Sequence, residues 1–367
     1  MGQTTDVLVV GGGPAGLAAA IAARKRGFDV MVAEGMRPPI EKPCGEGLMP
    51  DTLSVLRQLG VTIDPAEGHA FRGIRFIGEG YQVDAGFPCG QGIGLRRPLL
   101  HQKMIEQAQR LGVNLLWNTS VSALRAYGAV VGGTRIDARW IIGADGIRSR
   151  VRRWCGLEAP VQVPPRYAFR RHYRIEPWTD CMEIYWGRNA QAYVTPVGRR
   201  NCCVVVISRN PAARSASIAA EFPQLAERLG TAEASVESGA VTFTSSLRRV
   251  YRNRVALIGD ASGSVDAITG EGLCLSFRQA LAIADALESG DLRGYQTAHR
   301  RLARRPTLMG RSLMLLDRQP NVRERAMRAL ATHPDLFARL LAVHVGATSP
   351  GHLAATGALL GWRLVAA

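Results

Sequence analysis

The stretch Val7-Leu8-Val9-Val10-Gly11-Gly12-Gly13-Pro14-Ala15-Gly16 decides the fold. Four apolar residues read as a buried strand, and three glycines in a G-x-G-x-x-G spacing follow without a break. Around this turn the pattern predicts a strand over 6–10, a helix over about 15–26 and a second strand over 29–34. The second strand closes on an acid, Glu34, 18 positions after Gly16. Each residue has a physical task in a βαβ unit that binds a dinucleotide. Gly11 permits the tight turn, Gly13 lets the backbone approach a pyrophosphate, and Gly16 lets helix and strand pack closely. Pro14 and Ala15 open the helix, whose free N–H groups and dipole favour phosphate charge. Glu34 can accept hydrogen bonds from a ribose.

Outward from this unit, a helix is expected over 50–59, closed by Gly60. Short strands follow near 73–77 and 81–86, and Pro98 starts a helix running to about 111, before Gly112. Strands over 113–117 and 140–142 lead into Gly143-Ala144-Asp145-Gly146. The middle of the chain then changes character. Strands over 167–175, 181–186, 191–195 and 201–207, joined by short turns, read as one antiparallel sheet in a layer of its own. From Val255 the first pattern resumes with a strand over 255–258, a glycine-rich turn and a helix over about 271–287. Arg-rich helices fill the remainder.

Two later segments separate the candidate dinucleotides. Trp140-Ile-Ile-Gly-Ala-Asp145-Gly146-Ile-Arg148-Ser149-Arg150-Val-Arg152 resembles the "DG" motif of flavoprotein hydroxylases, although Asp-Gly is also a plain turn dipeptide. Arg254-Val-Ala-Leu-Ile-Gly259-Asp260-Ala261 resembles their "GD" motif, whose aspartate meets the ribityl chain of FAD. Over residues 5–290 the chain is similar to the flavoprotein family of aromatic-ring hydroxylases (group A monooxygenases), geranylgeranyl reductases and flavin-dependent halogenases. The resemblance implies an α/β fold: a Rossmann-like FAD-binding domain of glutathione-reductase type, discontinuous over 1–75, 95–165 and 245–290. A mostly antiparallel β-sheet substrate domain (76–94 and 166–244) is inserted into it, and C-terminal helices (291–367) follow.

By the same resemblance Arg97 takes the place of an arginine that contacts FAD, and Val121 the place where backbone meets adenine. Gly270, Gly272 and Leu273 lie in a turn under the pyrimidine edge of the flavin. A helix starting there presents N–H groups where a reduced flavin is negative. A second strand–GxGxxG–helix unit is missing from the sequence, so NADPH or NADH is expected to dock transiently as reductant. Glu41-Lys42-Pro43-Cys44-Gly45-Glu46-Gly47-Leu48 looks like the cysteine segment of geranylgeranyl reductases, which places Cys44 and Gly45 beside the flavin. The Y-x-W-x-F-P pocket motif of those reductases aligns with Gln191-Ala192-Tyr193-Val194-Thr195-Pro196 and keeps only the proline. Neither the lysine nor the W-x-W-x-I-P segment of the halogenases is evident.

These features favour a monooxygenase that hydroxylates a small aromatic or polyketide-like substrate through a flavin C4a-hydroperoxide. A reductase of prenyl double bonds is the alternative, and a prenyl-lipid binding protein without flavin is the third reading. His172, Tyr185, Tyr193 and Pro196 are the candidate substrate residues, together with the aromatic tips of Tyr173 and Trp186. No side chain stands out as the catalyst.

Composition sets the outer limits. The chain has 367 residues and a net charge of +16, nearly all of it arginine, since Lys25, Lys42 and Lys103 are the only lysines. This reads as arginine-rich codon usage, and no nucleic-acid module is present. Seven cysteines without a CxxC pair argue against a metal site and a disulfide framework, so a reducing cytoplasm is expected, with no leader segment. The stretch 340–362 lacks acidic and basic residues but is broken by Ser349-Pro350-Gly351-His352. It reads as packed C-terminal helices, with contact to an anionic membrane surface as the less favoured option. Oligomeric state is left open.

Overall fold

The computed structural model describes residues 3–157, 164–214 and 218–348. The part of the expected C-terminal helices beyond residue 348 lies outside them. Helices α1 (Pro14–Lys25), α2 (Pro50–Leu59), α3 (Arg97–Arg110), α4 (Arg150–Trp154) and the adjacent pair α5 (Ile218–Glu221) and α6 (Pro223–Leu229) are interspersed among the strands. Helices α7 (Gly272–Ser289), α8 (Leu292–Arg318), α9 (Pro320–Thr332) and α10 (Pro334–His344) then run consecutively.

The first sheet is doubly wound. Its strands lie in the order Tyr251–Arg252, Val255–Leu257, Thr134–Gly143, Gln3–Val10, Val30–Ala33, Asn114–Leu116. All pairings after the first are parallel. Parallel strands are covered on both faces, which is why Val7, Leu8 and Val9 form an unbroken apolar run and are fully buried. Helices α1, α3 and α7 pack on one face through Leu17, Ile21, Met104, Phe277 and Ile283. The strand Thr134–Gly143 is far longer than expected, because its first half pairs with the hairpin strand Gly128–Val131. Arg135, Asp137 and Arg139 alternate with apolar residues there, so the half-exposed segment was hard to recognise as strand.

The second sheet has seven strands, in the order Ser238–Thr242, Arg166–Tyr173, Asn201–Ser208, Ala190–Gly198, Cys181–Trp186, Gly73–Gly78, Tyr81–Gly86. Four of these strands were expected as one antiparallel sheet, and the short strands near 73–77 and 81–86 were assigned no pairing; one parallel pairing, Cys181–Trp186 with Gly73–Gly78, joins them all. All six residues of Cys181–Trp186 are buried because the sheet is covered twice. One face packs on Ile218, Phe222, Leu225 and Leu229 of α5 and α6. The other meets Met49, Ile268 and the apolar stripes of α9 and α10, among them Leu330, Leu336, Phe337 and Leu341. Helix α8 turns Leu313, Met314 and Leu316 onto this same cluster. Among the described residues, no helix is long and apolar enough to cross a membrane.

The carboxyl ends of the parallel strands converge on one cleft. Val10, Ala33, Gly143 and Leu257 lead into Gly11, Glu34, Ala144 and Gly259 respectively. Ligands of open α/β sheets bind at this end, where the chain leaves neighbouring strands in opposite directions. A Cβ at Gly16 would lie 1.8 Å from the Gly11 carbonyl oxygen, whereas one at Gly13 would meet nothing within 4 Å. Gly16→Ala is therefore expected to cost about 2 kcal/mol in a urea titration, after the small helix-propensity gain of alanine. Gly13→Ala should change stability by less than about 0.5 kcal/mol.

Candidate cofactor and substrate site

The glycine turn presents an open cradle. Gly13 caps α1 in extended conformation, Pro14 fills the first helical position, and the Leu17 N–H closes the first turn on the Gly13 carbonyl. The N–H groups of Gly13, Ala15 and Gly16 have no partner among the described residues. Free donors at a helix N-terminus suit a diphosphate. Glu34 closes the neighbouring strand as expected. Its carboxylate accepts from the Gly12 N–H at 2.8 Å and the Met36 N–H at 3.0 Å, which leaves lone pairs for a ribose. His101 buttresses the turn from α3: its Nε2 lies 2.8 Å from the Gly12 carbonyl, and Nδ1 faces the Ile40 N–H at 3.4 Å. Burial lowers the pKa of His101, so the neutral ring can donate at one nitrogen and accept at the other. Val121 is buried and starts the strand Val121–Arg125, just after a loop in which the Thr119 N–H binds the Glu34 carbonyl.

The two later motifs meet across the cleft. Asp145 accepts from Ser149 Oγ and from the N–H groups of Arg150 and Val151, so it caps α4 and holds a loop. From α4, Arg152 reaches the carbonyls of Asp260 and Ala261, tying one turn to the other. The Asp260 carboxylate is a third exposed and takes an ion pair from Lys42 at 2.7 Å. Behind it, Ser262 Oγ donates to the Gly259 carbonyl at 2.8 Å and meets His299 Nε2 at 2.9 Å. Burial pushes the His299 pKa down to about 4.

Residues 40–49 form a strap across this cleft. Ile40 is held at His101 beside the first turn, Lys42 at Asp260, and the Met49 side chain at Gly270. Gly47–Leu48 pairs with Gly92–Gly94, and a Cβ at Gly94 would lie 1.7 Å from the Pro196 carbonyl, so the strap is sewn to the second sheet. Within it, Glu46 adopts φ +59°, a left-handed conformation costing a non-glycine residue roughly 1–2 kcal/mol. Its fully buried carboxylate offsets that strain by accepting the Arg97 N–H at 2.9 Å and meeting His172 Nε2 at 2.6 Å. Arg170 stands at 3.5 Å and Arg96 at 3.8 Å. Burial alone would raise the Glu46 pKa, but the His172 hydrogen bond and charge, the Arg97 amide and Arg170 together hold it below the usual carboxylate range. The Cys203 thiol is pushed well up by burial; its Sγ lies 3.6 Å from the carbonyl of Cys44.

Helix α7 opens at the far side of the strap. Gly270 lies at φ +67°, and a Cβ at Gly272 would meet nothing within 4 Å. Leu273 is partly buried in the first turn of α7. Glu271, its N-cap, receives Arg305 of α8 at 2.9 Å, and Arg305 also reaches Asp51 of α2 at 3.3 Å. The basic cap helices are thereby fastened to the turn.

The structure thus gathers Gly11 through Gly16, Glu34, Cys44, Gly45, Arg97, Asp260, Gly270, Gly272 and Leu273 around one cleft. Arg97 contributes its backbone N–H, and its side-chain Nε has no hydrogen-bond partner among the described residues. His172 and Tyr193 lie on the strap-facing side of the second sheet, and Tyr193 donates to the Ile268 carbonyl at 3.1 Å; Pro196, in register with Cys202 of the opposite face, meets Gly94 only through its carbonyl. Tyr185 does not join them. Its position in the strand turns it to the opposite face, against Phe222, where its hydroxyl donates to Glu183. Tyr173 follows it to that face, while Trp186 stays with Phe76. Sequence reasoning missed Glu46, Lys42 and Arg170. A cue existed in Arg166, Arg170 and His172, which recur at even spacing on one face of a strand whose other residues, Arg171 apart, are apolar or aromatic, and so must meet buried partners.

A family profile described as FAD binding domain matches residues 4–296. The menaquinone reductase of Mycobacterium tuberculosis is 28% identical over 320 residues, 79% of this chain and 78% of that one. The digeranylgeranylglycerophospholipid reductase 1 of Methanopyrus kandleri is 29% identical over 293 residues, 73% of this chain and 76% of that one. Among solved structures, a flavoprotein/dehydrogenase from Cytophaga hutchinsonii superposes with a TM-score of 0.81 at 21% identity, over 93% of this chain and 92% of that one.

His299 makes the GD turn sensitive to acid. A histidine with pKa about 4 when folded and about 6.5 when unfolded binds fewer protons in the native state throughout that interval. Its contribution is intact above pH 6.5 and is lost as pH falls towards 4, up to roughly 3 kcal/mol. Urea unfolding at a series of pH values should show this decline, and His299→Gln should flatten it.

Proposed function

The chain belongs to the FAD-binding domain family, and from that premise we propose that it is an FAD-dependent reductase of a double bond in a prenyl chain carried by a quinone or lipid. The observation that carries this reading is the strap. Cys44-Gly45-Glu46-Gly47, the segment that resembles the geranylgeranyl reductases, is pinned between the Asp260 turn and the Gly270 turn. Relatives that match about three-quarters or more of the chain bear reductase names, which supports the same reading.

Reduced FAD, when bound, supplies a hydride to one alkene carbon. The remaining tasks fall to the chain. The N–H groups of Gly13, Ala15 and Gly16 hold the diphosphate, Glu34 the adenosine ribose, and Asp260 the ribityl hydroxyls once Lys42 gives way. The N–H groups opening α7 at Gly272 and Leu273 would offer hydrogen bonds to the negative charge of a reduced flavin. Tyr193, on the face of the second sheet that meets the strap, and Met49 of the strap itself give the site an apolar lining that excludes water and suits an isoprenoid. NADPH or NADH, lacking a Rossmann unit of its own, docks transiently as reductant.

Monooxygenation of a small aromatic substrate is the second reading. It is favoured by the departure at Gln191–Pro196, where tyrosine stands for the tryptophan of the reductase motif. Oxygen dependence separates the two. Enzyme reduced under nitrogen and mixed with a polyprenyl quinone should return to oxidised flavin in a single turnover, with the prenyl product gaining H2 by mass spectrometry. Reoxidation that requires oxygen, with an oxygen atom in the product of an aromatic substrate, would replace the reductase by the monooxygenase.

A further inference from the structure

Glu46 and His172 come from elements 126 residues apart and meet at 2.6 Å, both buried. The carboxylate is held charged, so the proton between them sits on His172 Nε2, and the imidazole is oriented by an acid much as in a catalytic triad. The other ring nitrogen, Nδ1, makes no hydrogen bond among the described residues, the ring's one hydrogen bond being Nε2 to Glu46. The strap carrying Glu46 runs from the Asp260 turn to the Gly270 turn, so on the reductase reading the pair would stand beside the bound flavin.

The surroundings decide what such a pair can hold. Glu46, His172 and Cys203 offer three donor atoms within 4.8 Å of one another, a spacing that a metal ion could use. Arg170, however, is buried with Nε and NH1 unpaired by hydrogen bonds, and its guanidinium lies 3.5 Å from the same carboxylate. Arg96 adds a second positive charge at 3.8 Å, and the thiol of Cys203 stays protonated. Two fixed cations and a neutral thiol disfavour a divalent ion and leave the proton as the mobile charge. The other groups facing the pair are Cys44 on the strap and Glu41, which engages Arg170 from the rim.

We infer that His172 is the proton donor of the cleft and that Glu46 is its positioning residue; this rests on the reductase reading. In the step His172 would have to enter protonated at both ring nitrogens: the Nδ1–H bond breaks, its electron pair stays on Nδ1, and the π pair of the alkene forms a C–H bond to that proton. The hydride and its electron pair, from reduced FAD, form the second C–H bond, so the flavin is oxidised and the alkene reduced. The imidazole left neutral keeps Nε2–H on Glu46 and regains its proton from water before the next turnover. The strained backbone of Glu46 fits this role, because strain of this kind persists where the surroundings over-determine a functional group.

The test compares wild type, His172→Asn, Glu46→Gln and Glu46→Asp, all first checked for FAD content. In anaerobic single turnover with a polyprenyl quinone, His172→Asn should lower the rate at least about 100-fold with substrate affinity within a factor of about three. Glu46→Gln should flatten the pH profile of that rate, and Glu46→Asp should restore part of it. A second readout needs no turnover. In flavin-free protein labelled with 15N-histidine, the His172 Nε2–H should give a slowly exchanging NMR resonance that moves upfield in Glu46→Gln. Wild type that reduces no prenyl substrate while the Glu46-dependent resonance is present would overturn the reductase reading but leave the shared proton. Wild type that turns over while His172→Asn matches it within about twofold, or a resonance indifferent to Glu46, would overturn the donor assignment itself.

Discussion

The close approach of α1 to the first strand governs how the rest of the site is arranged. With the Gly11 carbonyl where a Cβ on Gly16 would stand 1.8 Å away, the helix can point its N-terminus into the mouth of the sheet instead of alongside it. A side chain at either position would lift the helix and scatter the free N–H groups. Once that turn is set, Ala144 fits beneath Gly11 and Gly16, and Ala15 meets Gly259. The three motifs are therefore one steric unit, although more than 240 residues separate the first glycine from the last turn. Backbone donors at a fixed place, rather than charged side chains, would form the anion site of the proposed reading, which is why +16 of net charge says little about it.

A second constraint joins the two sheets. The Glu46 carboxylate is too deeply buried to exist unpaired, and its partners come from α3 and from the Arg166–Tyr173 strand. Removing one partner would leave a charge stranded in the interior, so strap, helix and sheet are energetically coupled. Arg305 performs a similar service from outside, bridging Asp51 and Glu271 so that the cap helices report on the turn at Gly270. The cleft is built from local glycine geometry on one wall and from long-range ion pairing on the other.

That division explains what could be read from the residues alone. The glycine turn, the helix closed by Gly60 at φ +84°, and the GD turn follow from constraints acting within a few residues. Pairing between strands is a different matter. The parallel contact of Gly73–Gly78 with Cys181–Trp186 joins segments a hundred residues apart, and nothing local announces it. Tyr185 and Tyr193 look equivalent as aromatic residues on neighbouring strands, but Tyr193 pairs with Ile184, and the one-residue offset sends Tyr185 to the far face. Glu46 escaped notice because a glutamate between two glycines looks like a surface turn, and only the folded chain shows it enclosed by Arg97, Arg170 and His172. Asp145, by contrast, does what an Asp-Gly turn suggests and caps a short helix.

The central claim is that the glycine turn, Asp260 and the strap together hold one FAD. A crystal structure of the chain grown with FAD measures this most directly. The account predicts the diphosphate on the N–H groups of Gly13, Ala15 and Gly16, and the ribityl chain at Asp260 with Lys42 displaced. It also predicts the isoalloxazine ring between Cys44–Glu46 and the start of α7. A flavin seated elsewhere, with the Lys42–Asp260 ion pair intact and the turn at Gly13 empty, would contradict it.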